Sequence, residues 1–157
     1  MYIQCVVCIT LGVCLAALQA QTKSAQPNFT GKWKLNLEKS KLQIPAPTSS
    51  MFEIDHREPK FHLTRTHVYG DKSDTITMDL TTDGAEYPQE FGSLRARTRL
   101  YWEGSTLVLD MKVSINDDEG TNVARYSLEN AGQTFVAVER WRSSRHSHDN
   151  IWVFDRQ

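Results

Sequence analysis

The sequence predicts an all-β domain, an antiparallel up-and-down meander of about eight to ten strands closed into a barrel. Three observations predict it. Apolar and polar residues alternate in short runs, as they do where one strand face is buried and the other wet. Turn signals such as Gly70-Asp71, Asp83-Gly84, Glu103-Gly104 and Asn130-Ala131-Gly132 separate those runs. No stretch beyond the N-terminal segment carries a long helical apolar period. The 157 residues suit one domain. With 18 Lys+Arg against 19 Asp+Glu the net charge is −1, so no basic excess points to nucleic acid.

The elements follow in order. The first 20 residues hold all three cysteines and no Lys or Arg, and Cys5 to Leu18 is an unbroken uncharged run. That run is short for a spanning helix and ends in Ala16-Ala17-Leu18-Gln19-Ala20, which reads as a signal peptide cut after Ala20. Retention as an N-terminal anchor is the alternative. Cys5 and Cys8 match C-x-x-C, but inside the apolar run the spacing is accidental. Residues 1–20 are thus expected to be a signal peptide, 21–29 a polar leader and 30–157 the barrel domain. That address is secreted or periplasmic, with no stable membrane insertion after cleavage and no thiol chemistry in the mature chain.

Thr30 to Leu37 alternates Trp33, Leu35 and Leu37 with Lys32, Lys34 and Asn36. A loop with Pro45 and Pro47 follows. Phe52, Ile54 and His56 mark the second strand, closed at Glu58-Pro59-Lys60. Phe61, Leu63, Arg65, His67 and Tyr69 share a face of the third. Ile76, Met78 and Leu80 mark the fourth, and a short piece around Glu86 to Phe91 is broken by Pro88 and Gly92. Leu94, Ala96, Leu100 and Trp102 form the next face. Leu107, Leu109, Met111, Val113 and Ile115 give the cleanest alternation, ended by Asp117-Asp118-Glu119-Gly120. Ala124, Tyr126 and Leu128, then Phe135 to Trp141, then Ile151 to Phe154 complete the set. Short connections favour pairing between sequence neighbours, and closure removes exposed edges.

Asn28-Phe29-Thr30-Gly31-Lys32-Trp33-Lys34-Leu35 resembles the Gly-x-Trp first-strand motif of the lipocalins and fatty-acid-binding proteins, the calycin group. Trp152-Val153-Phe154-Asp155 is similar to a calycin last strand. The chain as a whole resembles small secreted bacterial lipocalin-like proteins, through Lys39-Ser40, Thr82-Asp83-Gly84 and Trp102-Glu103-Gly104-Ser105-Thr106-Leu107. The resemblance implies a barrel whose closed end is plugged by Trp33, with Gly31 letting the chain turn in close. It departs from the fatty-acid-binding proteins in two respects. Pro45 and Pro47 stand where those proteins insert a helix pair. Trp152 and Phe154 stand where they place an Arg and a Tyr that anchor a carboxylate.

The barrel interior is the leading candidate site, for a small, largely apolar ligand. Its expected wall is Phe52, Phe61, Leu63, Arg65, His67, Met78, Leu100, Leu109, Met111, Tyr126 and Phe135. The plainer reading is that these side chains pack a solid core. For Arg65 and His67 the favoured reading is that the strand runs past the rim and both reach water, because a buried cation needs a partner. Arg95, Arg97 and Arg99 form an outward basic stripe, expected to pair with acidic neighbours. His146, His148 and Asp149 have metal-chelating spacing but no second ligand cluster, so no metal or other cofactor is expected. No nucleophile elbow, zinc-protease motif, phosphate loop or dinucleotide fingerprint occurs, and the chain is read as non-catalytic. The alternative is a filled barrel that acts as a protein- or envelope-interaction module.

Overall fold

A computed structural model describes residues 26–115 and 118–157; the segment expected to be a signal peptide, its cysteines and Asp117 lie outside the described residues. The strands are β1 (Gly31–Leu35), β2 (Ser49–Arg57), β3 (Lys60–Tyr69), β4 (Lys72–Thr81), β5 (Tyr87–Phe91), β6 (Leu94–Glu103), β7 (Thr106–Ile115), β8 (Asp118–Glu129), β9 (Thr134–Ser143) and β10 (Ser147–Arg156). They form one antiparallel sheet in the order β4-β3-β2-β1-β10-β9-β8-β7-β6-β5. Pairing of β1 with both β2 and β10 curls the meander back on itself, which leaves β4 and β5 as the two edges of a nearly closed barrel. One 3-10 turn (Asn130–Gly132) interrupts the β-structure, and no helix of the described residues is long and apolar enough to cross a membrane.

The alternation in the sequence becomes an inside and an outside. On β2, Phe52, Ile54 and His56 are buried between exposed Glu53, Asp55 and Arg57. Register then stacks inward residues across strands: Leu128 faces Phe135, which faces Phe154. The result is an aromatic core at one end. Phe135 lies 5.6 Å from Trp33, 5.7 Å from Phe52, 5.9 Å from Phe29 and 5.4 Å from Phe154, centroid to centroid. Trp33 and Phe29 are fully buried, and the Trp33 indole N–H donates to the Phe29 carbonyl at 2.9 Å. The Arg156 guanidinium covers the Trp33 ring at 4.2 Å and donates to the carbonyls of Thr30 and Gly132.

At that closed end Glu58 bridges the seam between the free edge of β4 and the far side of the barrel. It accepts from Thr82 Oγ1 at 2.5 Å, Trp102 Nε1 at 2.8 Å and His56 Nε2 at 2.9 Å. Burial pulls its carboxyl upward, but the donors from Thr82, His56 and Trp102 outweigh burial and hold it below the usual carboxylate range.

Gly31 is required by geometry. Its φ is +154°, and a Cβ there would stand 2.6 Å from the Arg156 guanidinium where it covers Trp33. Gly31→Ala is therefore expected to cost about 1–3 kcal/mol, read as a lower urea midpoint. A loss under about 0.5 kcal/mol would mean that Arg156 swings away without consequence.

Several boundaries move. β1 ends at Leu35, and Leu37 is 45% exposed, because the chain turns at residues 37–39 to lay Lys41 against Ile151. β4 starts at Lys72, four residues before its first buried-face apolar side chain, since main-chain pairing with β3 carries a polar stretch that apolar alternation cannot reveal. Asp118, Glu119 and Gly120 belong to β8 rather than to a turn, paired with the end of β7. Ser147 to Asn150 extend β10 in the same way. The loop over residues 36–48 contains no helix.

Candidate functional site

The half of the barrel away from Trp33 is hollow. A cavity of about 150 Å³ lies between β2, β3, β4, β7, β8, β9 and β10, with the β5–β6 turn at its margin. Phe52, Leu63, Arg65, His67, Met78, Leu109, Met111 and Tyr126 line it, all of them expected there from the sequence. Phe61, Leu100 and Phe135 do not. They belong to the closed-end core: Phe61 meets His56 and Phe29, Phe135 is the hub of the aromatic cluster, and Leu100 is 1% exposed. Alternation tells inward from outward but not which end of the barrel a residue occupies, so by itself it puts these three with the wall. The lining also includes Ile76, Phe91, Leu94, Val113, Asn122, Ala124, Ala137, Glu139, Trp141 and Trp152. Their inward parity on neighbouring strands could have found them; Asn122 and Glu139 were hidden by being polar.

The polar part of the lining is organised around Glu139. Asn150 and Trp152 on β10 donate to its Oε2 at 2.9 and 2.8 Å, and Asn122 on β8 donates to its Oε1 at 3.0 Å. Asn150 is fully buried and its Oδ1 in turn accepts from the Gln43 backbone N–H at 2.8 Å, which ties the 36–48 loop to the barrel. Burial pushes the nearby Tyr126 hydroxyl well above its ordinary pKa, and the Glu139 charge adds to the effect.

Arg65 and His67 point inward rather than past the rim. His67 is 7% exposed, meets the Ser50 hydroxyl at 2.8 Å and stacks on Trp152 with centroids 5.3 Å apart. Arg65 is more exposed than His67, and its Nη2 meets Asp74 Oδ2 at 2.5 Å. Asp74 supplies the partner that a partly buried guanidinium needs. Reaching water is thus the wrong picture for His67, and for Arg65 it holds only for the outer part of the side chain.

Burial pulls the His67 imidazole down from 6.5 to about 4; Arg65 acts in the same direction, while Asp74 and Glu139 oppose it. The ring is neutral at pH 7. Below pH 6.5 the unfolded chain takes up a proton that folded His67 refuses, so stability falls as pH drops towards 4 and this contribution levels off below it. The expected loss is of the order of 3 kcal/mol. Urea midpoints between pH 7 and pH 4 should converge for the wild type and His67→Asn; parallel profiles would contradict the assignment.

Outside the barrel, Arg99 pairs with Asp110 at 2.7 Å, and Arg97 and Lys112 share Glu86 at 3.3 and 3.1 Å. Arg97 and Arg99 of the stripe thus have the acidic partners expected of them, whereas Arg95 is exposed and makes no ion pair among the described residues. His148 stacks on Trp141, and Asp149 pairs with Arg142. The Trp141 ring closes over Gly120, where a Cβ would sit 2.8 Å from it. His56 at the closed end, His62 on Asp79 at the outer face and His67 in the cavity are thus separately engaged.

No family model matches the chain, and no curated protein matches it in sequence. Solved structures do match in shape. Zebrafish ileal bile acid-binding protein complexed with cholic acid superposes with a TM-score of 0.58 at 15% identity, covering 82% of this chain and 98% of that one. A secretory abundant heat soluble protein of Ramazzottius varieornatus gives 0.60 at 9% identity, covering 84% and 98%. The Schistosoma mansoni fatty acid binding protein in complex with arachidonic acid gives 0.50 at 14%, covering 82% and 96%. Ten antiparallel strands in meander order, sealed at one end and hollow at the other, have the lipocalin-like fold of the calycin barrels.

Proposed function

We propose that this protein is a non-catalytic carrier or sensor that binds a small, largely apolar ligand inside its barrel, in a secreted or periplasmic setting. The observation that carries the reading is the cavity: apolar walls from Leu63, Met78, Leu109 and Met111, with a few placed polar groups at one side. That is the composition of a ligand pocket. Structural neighbours include proteins solved in complex with cholic acid or arachidonic acid. The volume decides the size class. About 150 Å³ suits a body near the size of benzene, below the usual range for drug-sized ligands. Burial of apolar surface, at about 25 cal/mol per Å², drives binding. The address rests on the apolar leader that ends at Ala20.

The solid aromatic end favours a second reading, a filled barrel that engages a protein or the cell envelope through its outer face. One experiment separates them. The purified protein is extracted and its small molecules identified by mass spectrometry, alongside Ala137→Phe, which places a ring in the cavity. The carrier reading expects a ligand in the wild type and at least tenfold less in the variant, with the fold kept at a cost of about 1–3 kcal/mol. No ligand in the wild type, or equal amounts in both, would favour the filled barrel.

A further inference from the structure

Among the described residues that line the cavity, Arg65 and Glu139 carry charge at pH 7, and His67 is neutral. The two charges are handled differently. Arg65 is offset by a carboxylate, with Asp74 Oδ2 at 2.5 Å. Glu139 is held by three neutral donors instead, from Asn122, Asn150 and Trp152, at 3.0, 2.9 and 2.8 Å. The cations of the strands around it are engaged elsewhere: Arg65 on Asp74, Arg125 on Glu103 and Arg142 on Asp149. Glu139 makes no ion pair among the described residues. Dipoles solvate a carboxylate without cancelling its charge, so its field persists in the apolar space beside it.

Two cavity groups register these charges. Burial is the main cause that raises the pKa of the Tyr126 hydroxyl, and Glu139 raises it by more than Arg65 lowers it. At His67 burial again leads; Arg65 acts with it, and Asp74 and Glu139 both oppose Arg65. Arg65, Asp74 and Glu139 together leave one negative charge beside the cavity. That field acts through space, so a ligand feels it without touching the carboxylate. An anion entering the cavity loses its hydration, is repelled by Glu139 and finds the one lining cation already paired. A cation of the same size is attracted, and an uncharged molecule is indifferent. Proteins of similar fold were solved with cholic acid and arachidonic acid, both carboxylic acids.

We infer that Glu139 sets the charge selectivity of the barrel, so that the cavity takes uncharged ligands and rejects those that carry a carboxylate. The inference rests on the carrier reading and narrows its ligand class.

The test uses three probes of one frame, toluene, benzoate and benzylamine, titrated into the protein by calorimetry at pH 7. In the wild type benzoate is expected to be the weakest of the three, at least tenfold below benzylamine. Glu139→Gln keeps a carbonyl acceptor and removes the charge. In that variant the affinity of benzoate relative to toluene should rise about tenfold, while that of benzylamine relative to toluene should fall. Opposite movement of the two ions is the signature of a charge, since a change in cavity shape would move both the same way. Benzoate binding as tightly as benzylamine in the wild type would overturn the inference and leave the carrier reading standing. So would ratios that stay fixed, or move together, in Glu139→Gln. Failure of all three probes to bind the wild type would sink the carrier reading and this inference with it. The wild-type order of the two ions decides the matter if Glu139→Gln does not fold.

Discussion

Trp33→Ala is expected to cost about 4 kcal/mol or more, which is a large part of the 5–15 kcal/mol that holds a domain of this size together. Three losses coincide at that position. The indole is fully buried at the closed end, against Phe135 at 5.6 Å, and its removal opens a cavity in the most densely aromatic part of the core. The Phe29 carbonyl loses its donor in a buried site. The Arg156 guanidinium loses the ring that it covers at 4.2 Å, although its bonds to the Thr30 and Gly132 carbonyls remain. Urea unfolding followed by circular dichroism should show a lower midpoint with an unchanged slope. Trp33→Phe should recover part of the loss, because it restores ring contact but not the hydrogen bond. A drop below about 1.5 kcal/mol for the alanine variant would mean that the closed end is held by its hairpins rather than by the indole.

Glu139→Ala has the second large expected effect, about 3–5 kcal/mol. The carboxylate is the common acceptor for Asn122, Asn150 and Trp152, which stand on both strands that flank β9. Truncation leaves their donors facing a cavity, and Asn150 has no access to solvent. Glu139→Gln is expected to cost much less, about 1 kcal/mol. Its carbonyl can serve Asn150 and Trp152, and a flip of Asn122 restores the third bond. That flip would exchange the open acceptor of Asn122 for an open donor. Equal losses for the alanine and glutamine variants would contradict this picture. They would show that the charge of Glu139, and not its acceptor geometry, stabilises the barrel.

The fold was legible because it rests on the property a sequence displays most openly, a period of two interrupted by Gly, Asn and Asp turns. Leu107, Leu109, Met111 and Val113 announce their strand, and the structure buries all four. Lys72 to Thr75 and Ser147 to Asn150 carry no such signal, yet they are strands, because backbone hydrogen bonds to a neighbour do not require an apolar face. The site was legible in part. Arg65 and His67 were visible as inward polar groups, but the Asp74 and Ser50 partners that make their burial tolerable come from register, which alternation does not set. Glu139 was invisible for a related reason. A lone carboxylate in Val138-Glu139-Arg140 reads as a surface residue until β8 and β10 are placed beside it. The same holds for the division of the interior. Whether an inward ring such as Phe61 seals the barrel or lines its hollow depends on height along the axis, which parity does not report.

Xenon pressurisation of crystals of the protein tests the hollow interior most directly, since the gas enters apolar-walled space of this size. The account predicts an ordered xenon site bounded by Leu63, Met78, Leu109 and Met111, and none among Trp33, Phe29 and Phe135. A barrel that leaves the first of these places empty while xenon occupies other sites on the molecule would contradict it.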